Sequence, residues 1–218
     1  QFWLPATYAE APAPVAALFA IMTKVGAYAI VRTYTLVFGA GTPELSALIS
    51  DLLLPAALLT LAVGAAGVLG ARRLERMLAF AVLVSMGTLL TAVALFTPAG
   101  LTAALYYLVH STFAAAALFL VSDLVRQAGD RGLRPHGLTV AFYFAAAVAI
   151  AGMPPLTGFL GKVYILQAAA PAPQAIAIWA VILATSLVTI VGFTRMGSAL
   201  FWKTAPAPTG DAETDGRD

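Results

Sequence analysis

Three ionisable side chains stand inside long apolar runs of this chain: Lys24, His110 and Lys162. A charged side chain at hydrocarbon depth is expensive, and where one occurs it marks an ion or proton pathway. A lysine held in such a place gains or loses its proton in response to its neighbours, and histidine titrates close to neutral pH unaided. Lysine, histidine and lysine along one hydrated axis describe a proton relay. Plainer readings compete. Lys24 has carboxylates in reach along the sequence at Glu10, Glu44 and Asp51, although each lies toward a membrane edge. His110 would be explained nearly as well by a bond to a backbone carbonyl between packed helices. Lys162 could simply extend its amine to the interface.

The stretch around Lys162 is unusual in itself. It reads Gly152-Met153-Pro154-Pro155-Leu156-Thr157-Gly158-Phe159-Leu160-Gly161-Lys162 and joins two apolar runs. Proline lacks the backbone donor and clashes with the carbonyl four residues back, so Pro154 and Pro155 interrupt any helix passing through. In a bilayer the freed backbone groups need protein or water as partners, which predicts a polar, hydrated lining at the break. Gly158 and Gly161 belong to the same interruption. Discontinuous helices of this kind recur in transport proteins.

The positioning elements follow from composition and period. Hydrophobic residues make up 61% of the 218 and charged ones 10%, with a mean hydropathy of +0.91. A soluble domain carries about 25% charged residues. The expected fold is an all-α, polytopic membrane bundle. Residues 1–13, with Trp3 and Tyr8, form an interfacial segment. Spans are expected at 14–39, 48–70, 77–97, 101–125, 138–170 (the broken one) and 174–202, with a disordered polar tail over 203–218. Lys24 then lies about 15 Å into the first span, near mid-bilayer. Pro55 is placed to kink the second span, and Gly41, Pro43 and Glu44 fall in the turn before it. Ala114-Ala115-Ala116-Ala117, Ala145-Ala146-Ala147 and Gly64-Ala65-Ala66-Gly67 permit close helix packing.

Arg72, Arg73 and Arg76 in one loop, and Arg126, Arg131 and Arg134 in another, carry most of the basic charge two spans apart. The positive-inside rule makes that side cytoplasmic. Counting the broken segment as one crossing returns Arg195, Lys203 and the tail to the same side, which gives about six spans. Both termini are then cytoplasmic.

The sequence also excludes. With no cysteine and two distant histidines, neither thiol chemistry nor a metal-ligand cluster is indicated, and no cofactor motif is present. The basic residues sit in short loops and form no nucleic-acid patch. No phosphate-binding glycine loop, nucleophile elbow or pair of carboxylates within a span supports chemistry on a bound substrate. The opening Gln1-Phe2-Trp3-Leu4-Pro5 reads as the interior of a longer protein.

These residues bring a known family into view. Trp3-Leu4-Pro5-Ala6, Glu10-Ala11-Pro12-Ala13-Pro14 and Lys24-Val25-Gly26-Ala27-Tyr28 resemble a signature of the antiporter-like subunits. Those subunits occur in respiratory complex I, membrane-bound hydrogenases and multisubunit cation/proton antiporters. Leu108-Val109-His110-Ser111-Thr112 resembles the family's histidine-bearing helix, and the stretch from Gly152 to Lys162 its second broken helix. The wording is most similar to the D-subunit family of Mrp-type Na⁺/H⁺ antiporters. Glu75 departs from it, since relatives often carry lysine there.

The resemblance implies a longer chain of two inverted repeats, each with a broken helix and half of a proton path, of which these residues are the second. It implies that Lys24 links the half-paths, that His110 relays, and that Lys162 is the lysine of the second break. It further implies a multi-pass protein of the bacterial inner membrane, partnered by other membrane subunits, moving H⁺ and a monovalent cation such as Na⁺. Two alternatives stay open. One is a redox-driven pump of the complex I or hydrogenase type, and the other is a structural or assembly subunit whose lysines are silent.

Overall fold

The computed structural model of the chain describes residues 3–38, 43–131, 133 and 135–202. Gly41 of the expected turn, Arg134 and the tail over 203–218 lie outside the described residues, as do Gln1 and Phe2 and the side chain of Glu44. All regular structure among the described residues is helical: α1 (Trp3–Glu10), α2 (Ala13–Thr33), α3 (Pro43–Gly70), α4 (Leu74–Ala94), α5 (Pro98–Asp130), α6 (Gly137–Ala151), α7 (Thr157–Ala169) and α8 (Ala175–Phe201). A π-helical turn over Tyr34–Phe38 continues α2. Among the described residues, five helices are long and apolar enough to cross a membrane.

Helix ends differ from the sequence expectation where proline opens a helix and where a polar residue extends one. Pro43 starts α3 instead of belonging to a turn, and α3 runs through Pro55 as one helix. Pro98 likewise sits in the first turn of α5, where its missing N–H costs nothing, and the Thr97 hydroxyl accepts from Gly100 N at 3.0 Å. At the other end α5 continues to Asp130, so Asp123 and Arg126 lie on the helix as an i,i+3 ion pair at 2.7 Å. Glu75 and Arg76, expected in a loop, belong to the first turn of α4.

Helix α4 is the hub. Beyond Glu75 and Arg76 in its first turn it carries no charge, and nearly all its residues are buried among its neighbours. Ser85, Thr88 and Thr91 donate back to their own helix carbonyls at 2.9, 3.0 and 2.8 Å, which lets hydroxyls sit at the centre of an apolar bundle. Small residues bring α3 very close: a Cβ on Gly67 would fall 2.1 Å from the Phe80 ring, and one on Gly87 would meet Leu61 at 2.8 Å. The alanine runs divide their duties. Ala115 and Ala147 pack in the core, while Ala117, Ala145 and Ala146 line a groove of about 840 Å³ between α5 and α6. Bulky side chains such as Leu59, Phe113, Leu120, Leu187 and Val191 face outward, as lipid contact requires.

The number of crossings follows from two contacts. Glu10, Arg73, Glu75, Asp123 and Arg126 line one cavity, so the ends of α1 and α5 and the start of α4 share one face. Arg195, near the end of α8, donates to the Ala71 carbonyl at 2.9 Å and puts that end on the same face. Helix α8 therefore starts on the opposite face, and α6 with α7 makes a single crossing. Neither suffices alone, since 15 and 13 residues reach only about 22 and 20 Å against a hydrocarbon core of about 30 Å.

Candidate functional site

The break is built by both half-helices. Gly152 adopts φ 77°, a left-handed conformation that favours glycine, and ends α6. Its N–H bonds back to Ala149 O and that of Met153 to Val148 O, satisfying two of the last carbonyls. Pro154 and Pro155 then carry the chain across, and α7 begins at Thr157. Gly158 allows the two halves to meet, because a Cβ there would lie 2.0 Å from Ala149 O. Gly161 leaves room for the buried Tyr107 ring, which a Cβ would approach to 3.0 Å.

Lys162 comes from the second turn of α7 and points back across the break. Its Nζ donates to the Ala151 carbonyl at 2.7 Å and to Ser186 Oγ of α8 at 2.7 Å. The Ala151 carbonyl belongs to the last residue of α6, one of the orphan acceptors at a helix C-terminus, where the backbone dipole favours a cation. The lysine stem lies against Gly152, whose missing side chain makes the space: a Cβ would fall 2.7 Å from Lys162 Cδ. With 7% exposure and two internal acceptors, Lys162 does not extend to the interface. That reading is overturned.

His110 on α5 bridges the same break from the other side. Its Nε2 lies 3.1 Å from Ala149 O and its Nδ1 2.8 Å from Thr157 Oγ1. A carbonyl only accepts, so Nε2 carries the proton in that bond. The expected backbone bond of a structural histidine is present, and with it a contact to the other half-helix. His110 and Thr157 also form the polar end of the groove between α5 and α6.

Lys24 is placed differently. It is 1% exposed, and among the described residues its Nζ is the one buried side-chain nitrogen or oxygen without a hydrogen-bond partner. Glu10 does not pair with it but with Arg73, at 3.3 Å. Asp51 is exposed on α3. Helices α4 and α5, against which α2 packs, bring hydroxyls rather than carboxylates to the bundle interior: Ser85, Thr88 and Tyr107, whose hydroxyl faces Thr88. His110 and Lys162, distant in sequence, thus meet at one helix break, with Lys24 buried apart from them on α2, and the residues that complete the site, Ser186 and Thr157, are not singled out by the sequence. Their signal is weak, since a hydroxyl in an apolar helix more often just bonds its own backbone.

A family model described as NADH:quinone oxidoreductase/Mrp antiporter, TM, matches residues 1–189. The chain is 34% identical to the D subunit of the Na(+)/H(+) antiporter of Bacillus subtilis (strain 168), over 95% of this chain and 43% of that protein. It is 33% identical to the D subunit of a probable K(+)/H(+) antiporter of Rhizobium meliloti (strain 1021), over 93% of this chain and 44% of that protein. The chain therefore spans less than half the length of these relatives. In structure it is similar to a chain of the Mrp complex from Dietzia sp. DQ12-45-1b, with a TM-score of 0.81 and 32% identity, covering 95% of this chain and 39% of that one. A chain of the membrane-bound sulfane sulfur reductase, an archaeal respiratory membrane complex, shares the fold at a TM-score of 0.80 and 23% identity, covering 95% of this chain and 43% of that one.

Proposed function

Because the chain belongs to the NADH:quinone oxidoreductase/Mrp antiporter transmembrane family, we infer that it is a proton-translocating part of a multisubunit monovalent cation/H⁺ antiporter. Lys24, His110 and Lys162 form its relay. The observation that carries this reading is the double attachment at the break: Lys162 and His110 each bond a last-turn carbonyl of α6, Ala151 and Ala149. Two ionisable groups held at the ends of a broken helix, in an interior where apolar residues pack at less desolvation cost, mark a site for proton exchange. Lys24, buried and without a hydrogen-bond partner among the described residues, extends the series toward α2.

A proton arriving at one member adds charge that the next member feels across a low-dielectric interior, and the transfer proceeds by that repulsion. The names of the relatives favour Na⁺ or K⁺ as the exchanged cation. The face carrying Arg72, Arg73, Arg76, Arg126 and Arg195 is cytoplasmic by the positive-inside rule, in a bacterial inner membrane. Other membrane subunits complete the assembly.

The test is Na⁺- or K⁺-dependent collapse of an imposed proton gradient in everted vesicles, using the complete protein in its complex with Lys162→Ala. Loss of exchange in an assembled complex is the expected result. Exchange at the wild-type rate removes the relay and leaves a purely structural role. The family also takes in redox-driven complexes. Vesicles in which quinone reduction, and no cation gradient, drives proton movement would establish that second reading.

A further inference from the structure

We propose that Thr157 and Ser186 are positioning residues of the relay: their hydroxyls let His110 and Lys162 change charge without losing a hydrogen bond. This inference rests on the relay reading.

A hydroxyl is a neutral side-chain group that both donates and accepts strongly through a single atom. Thr157 Oγ1 lies 2.8 Å from His110 Nδ1, and Nε2 is committed as donor to the Ala149 carbonyl at 3.1 Å. With the ring neutral, Nδ1 has a lone pair and the Thr157 hydroxyl donates to it. With the ring charged, Nδ1 carries a proton and donates to the same oxygen. The heavy atoms keep their places and only the hydroxyl turns.

Ser186 serves Lys162 in the same way. While Nζ is an ammonium it donates to Ser186 Oγ at 2.7 Å, and the Ser186 hydroxyl donates on to the Ile182 carbonyl at 2.7 Å. Once Nζ loses a proton it presents a lone pair, and the Ser186 hydroxyl turns from Ile182 to donate to it. The Ala151 carbonyl remains an acceptor for an N–H that Nζ keeps in either state. A carbonyl or carboxylate in place of either hydroxyl would serve the charged form alone.

The ionisable groups facing this pair are few. Lys24 is buried on α2, which packs against α5. Helix α5 contributes the Tyr106 and Tyr107 rings, with Tyr106 packed on Tyr164 of α7. On α6 the Tyr143 hydroxyl is engaged by Phe193 O at 3.0 Å, on α8 Arg195 is engaged by Ala71 O, and α4 carries Glu75 and Arg76 in its first turn and only hydroxyls as polar groups beyond it.

The experiment measures exchange in everted vesicles across a range of pH, with the complete protein in its complex and assembly quantified in parallel. Thr157→Val and Ser186→Ala are each expected to lower exchange roughly tenfold and to displace its pH profile, as loss of one bond to a charged group would. Thr157→Ser and Ser186→Thr, which keep the hydroxyl, are expected to retain rate and profile. Should either apolar variant not assemble, Thr157→Cys or Ser186→Cys replaces it, a thiol being a weak donor and acceptor, with the same readouts. Unchanged rate and profile in assembled variants overturns the inference. If Lys162→Ala abolishes exchange in the same preparation, only the hydroxyl roles fail. If Lys162→Ala also leaves exchange intact, the relay reading fails with them.

Discussion

The Lys162 amine sits 2.7 Å from the carbonyl oxygen of Ala151, eleven residues earlier, and so closes the end of the half-helix that its own half-helix faces. Gly152 and Met153 use their N–H groups on Ala149 and Val148, and the proline pair that follows cannot donate at all. The Ala151 carbonyl would otherwise be an orphan acceptor buried away from water, at a cost of about 1–3 kcal/mol. One side chain thus holds the break together, and in the proposed relay the same side chain carries the exchanged proton.

That double duty separates charge from proton transfer at Lys162. Lys162→Arg keeps a cation on the carbonyl but never releases its proton at physiological pH. The complex should assemble, and exchange should fall by about a hundredfold or more, the range of a lost acid–base group. Lys162→Met should lose exchange equally and also destabilise the protein by about 1–3 kcal/mol, since Ala151 loses a partner. Vesicle exchange and thermal unfolding in detergent read the two effects apart.

Lys24 should show the opposite balance. Its Nζ is buried and bonds nothing among the described residues, so removing it breaks no contact and relieves the desolvation of a buried amine. Lys24→Met is expected to unfold at a higher temperature than wild type, by about 1 kcal/mol or more, while exchange is lost. A variant that is both less stable and fully active would place Lys24 among packing residues.

Much of the site is legible in the sequence because it rests on residue types that hydrocarbon tolerates poorly. Three ionisable groups and two adjacent prolines stand out against apolar spans, and the family's wording around Lys24, His110 and the break singles out the same positions. Which acceptors those groups meet is not legible. Ser186 lies 24 residues from Lys162 and Thr157 47 from His110, and a hydroxyl in an apolar run gives no sign of its partner. Glu10 illustrates the converse: its place in sequence offers it to Lys24, but the turn between α1 and α2 delivers it to Arg73, 63 residues away. The helix starts at Pro43 and Pro98 escape a reading that treats proline as a stop, because proline ends a helix only from inside it.

The glycines of the bundle make a graded series. Gly158→Ala should prevent assembly or cost more than about 3 kcal/mol, because its Cβ would overlap the Ala149 carbonyl, which is backbone and cannot step aside. Gly152→Ala should cost about 1–2 kcal/mol for its left-handed conformation and in addition push the Lys162 stem from its seat, lowering exchange. Gly26→Ala on α2 meets nothing within 4 Å and should be neutral or stabilising by up to about 1 kcal/mol, as helix propensity predicts. Thermal unfolding of the three variants orders them. A Gly158→Ala protein as stable as Gly26→Ala would mean that the two half-helices do not meet as described.

The crossing count can be tested through Arg195 and Ala71. Their 2.9 Å bond places the end of α8 beside the start of α4, so α6 and α7 must share one passage through the membrane. These residues contain no cysteine, so in a complete protein freed of any other cysteine single introduced thiols report the side. Arg72→Cys and Trp202→Cys should react with a membrane-impermeant maleimide from the same side, the cytoplasmic one, in everted but not right-side-out vesicles. Were α6 and α7 separate crossings, the two thiols would label from opposite sides. The contact itself is a bond from a charged donor, and Arg195→Ala should cost about 1–2 kcal/mol of stability with little change in exchange, since Arg195 sits nine positions beyond Ser186 and outside the relay. Same-side labelling together with a stability loss in Arg195→Ala would establish that the break, with Lys162 across it, lies within the membrane as one interrupted helix.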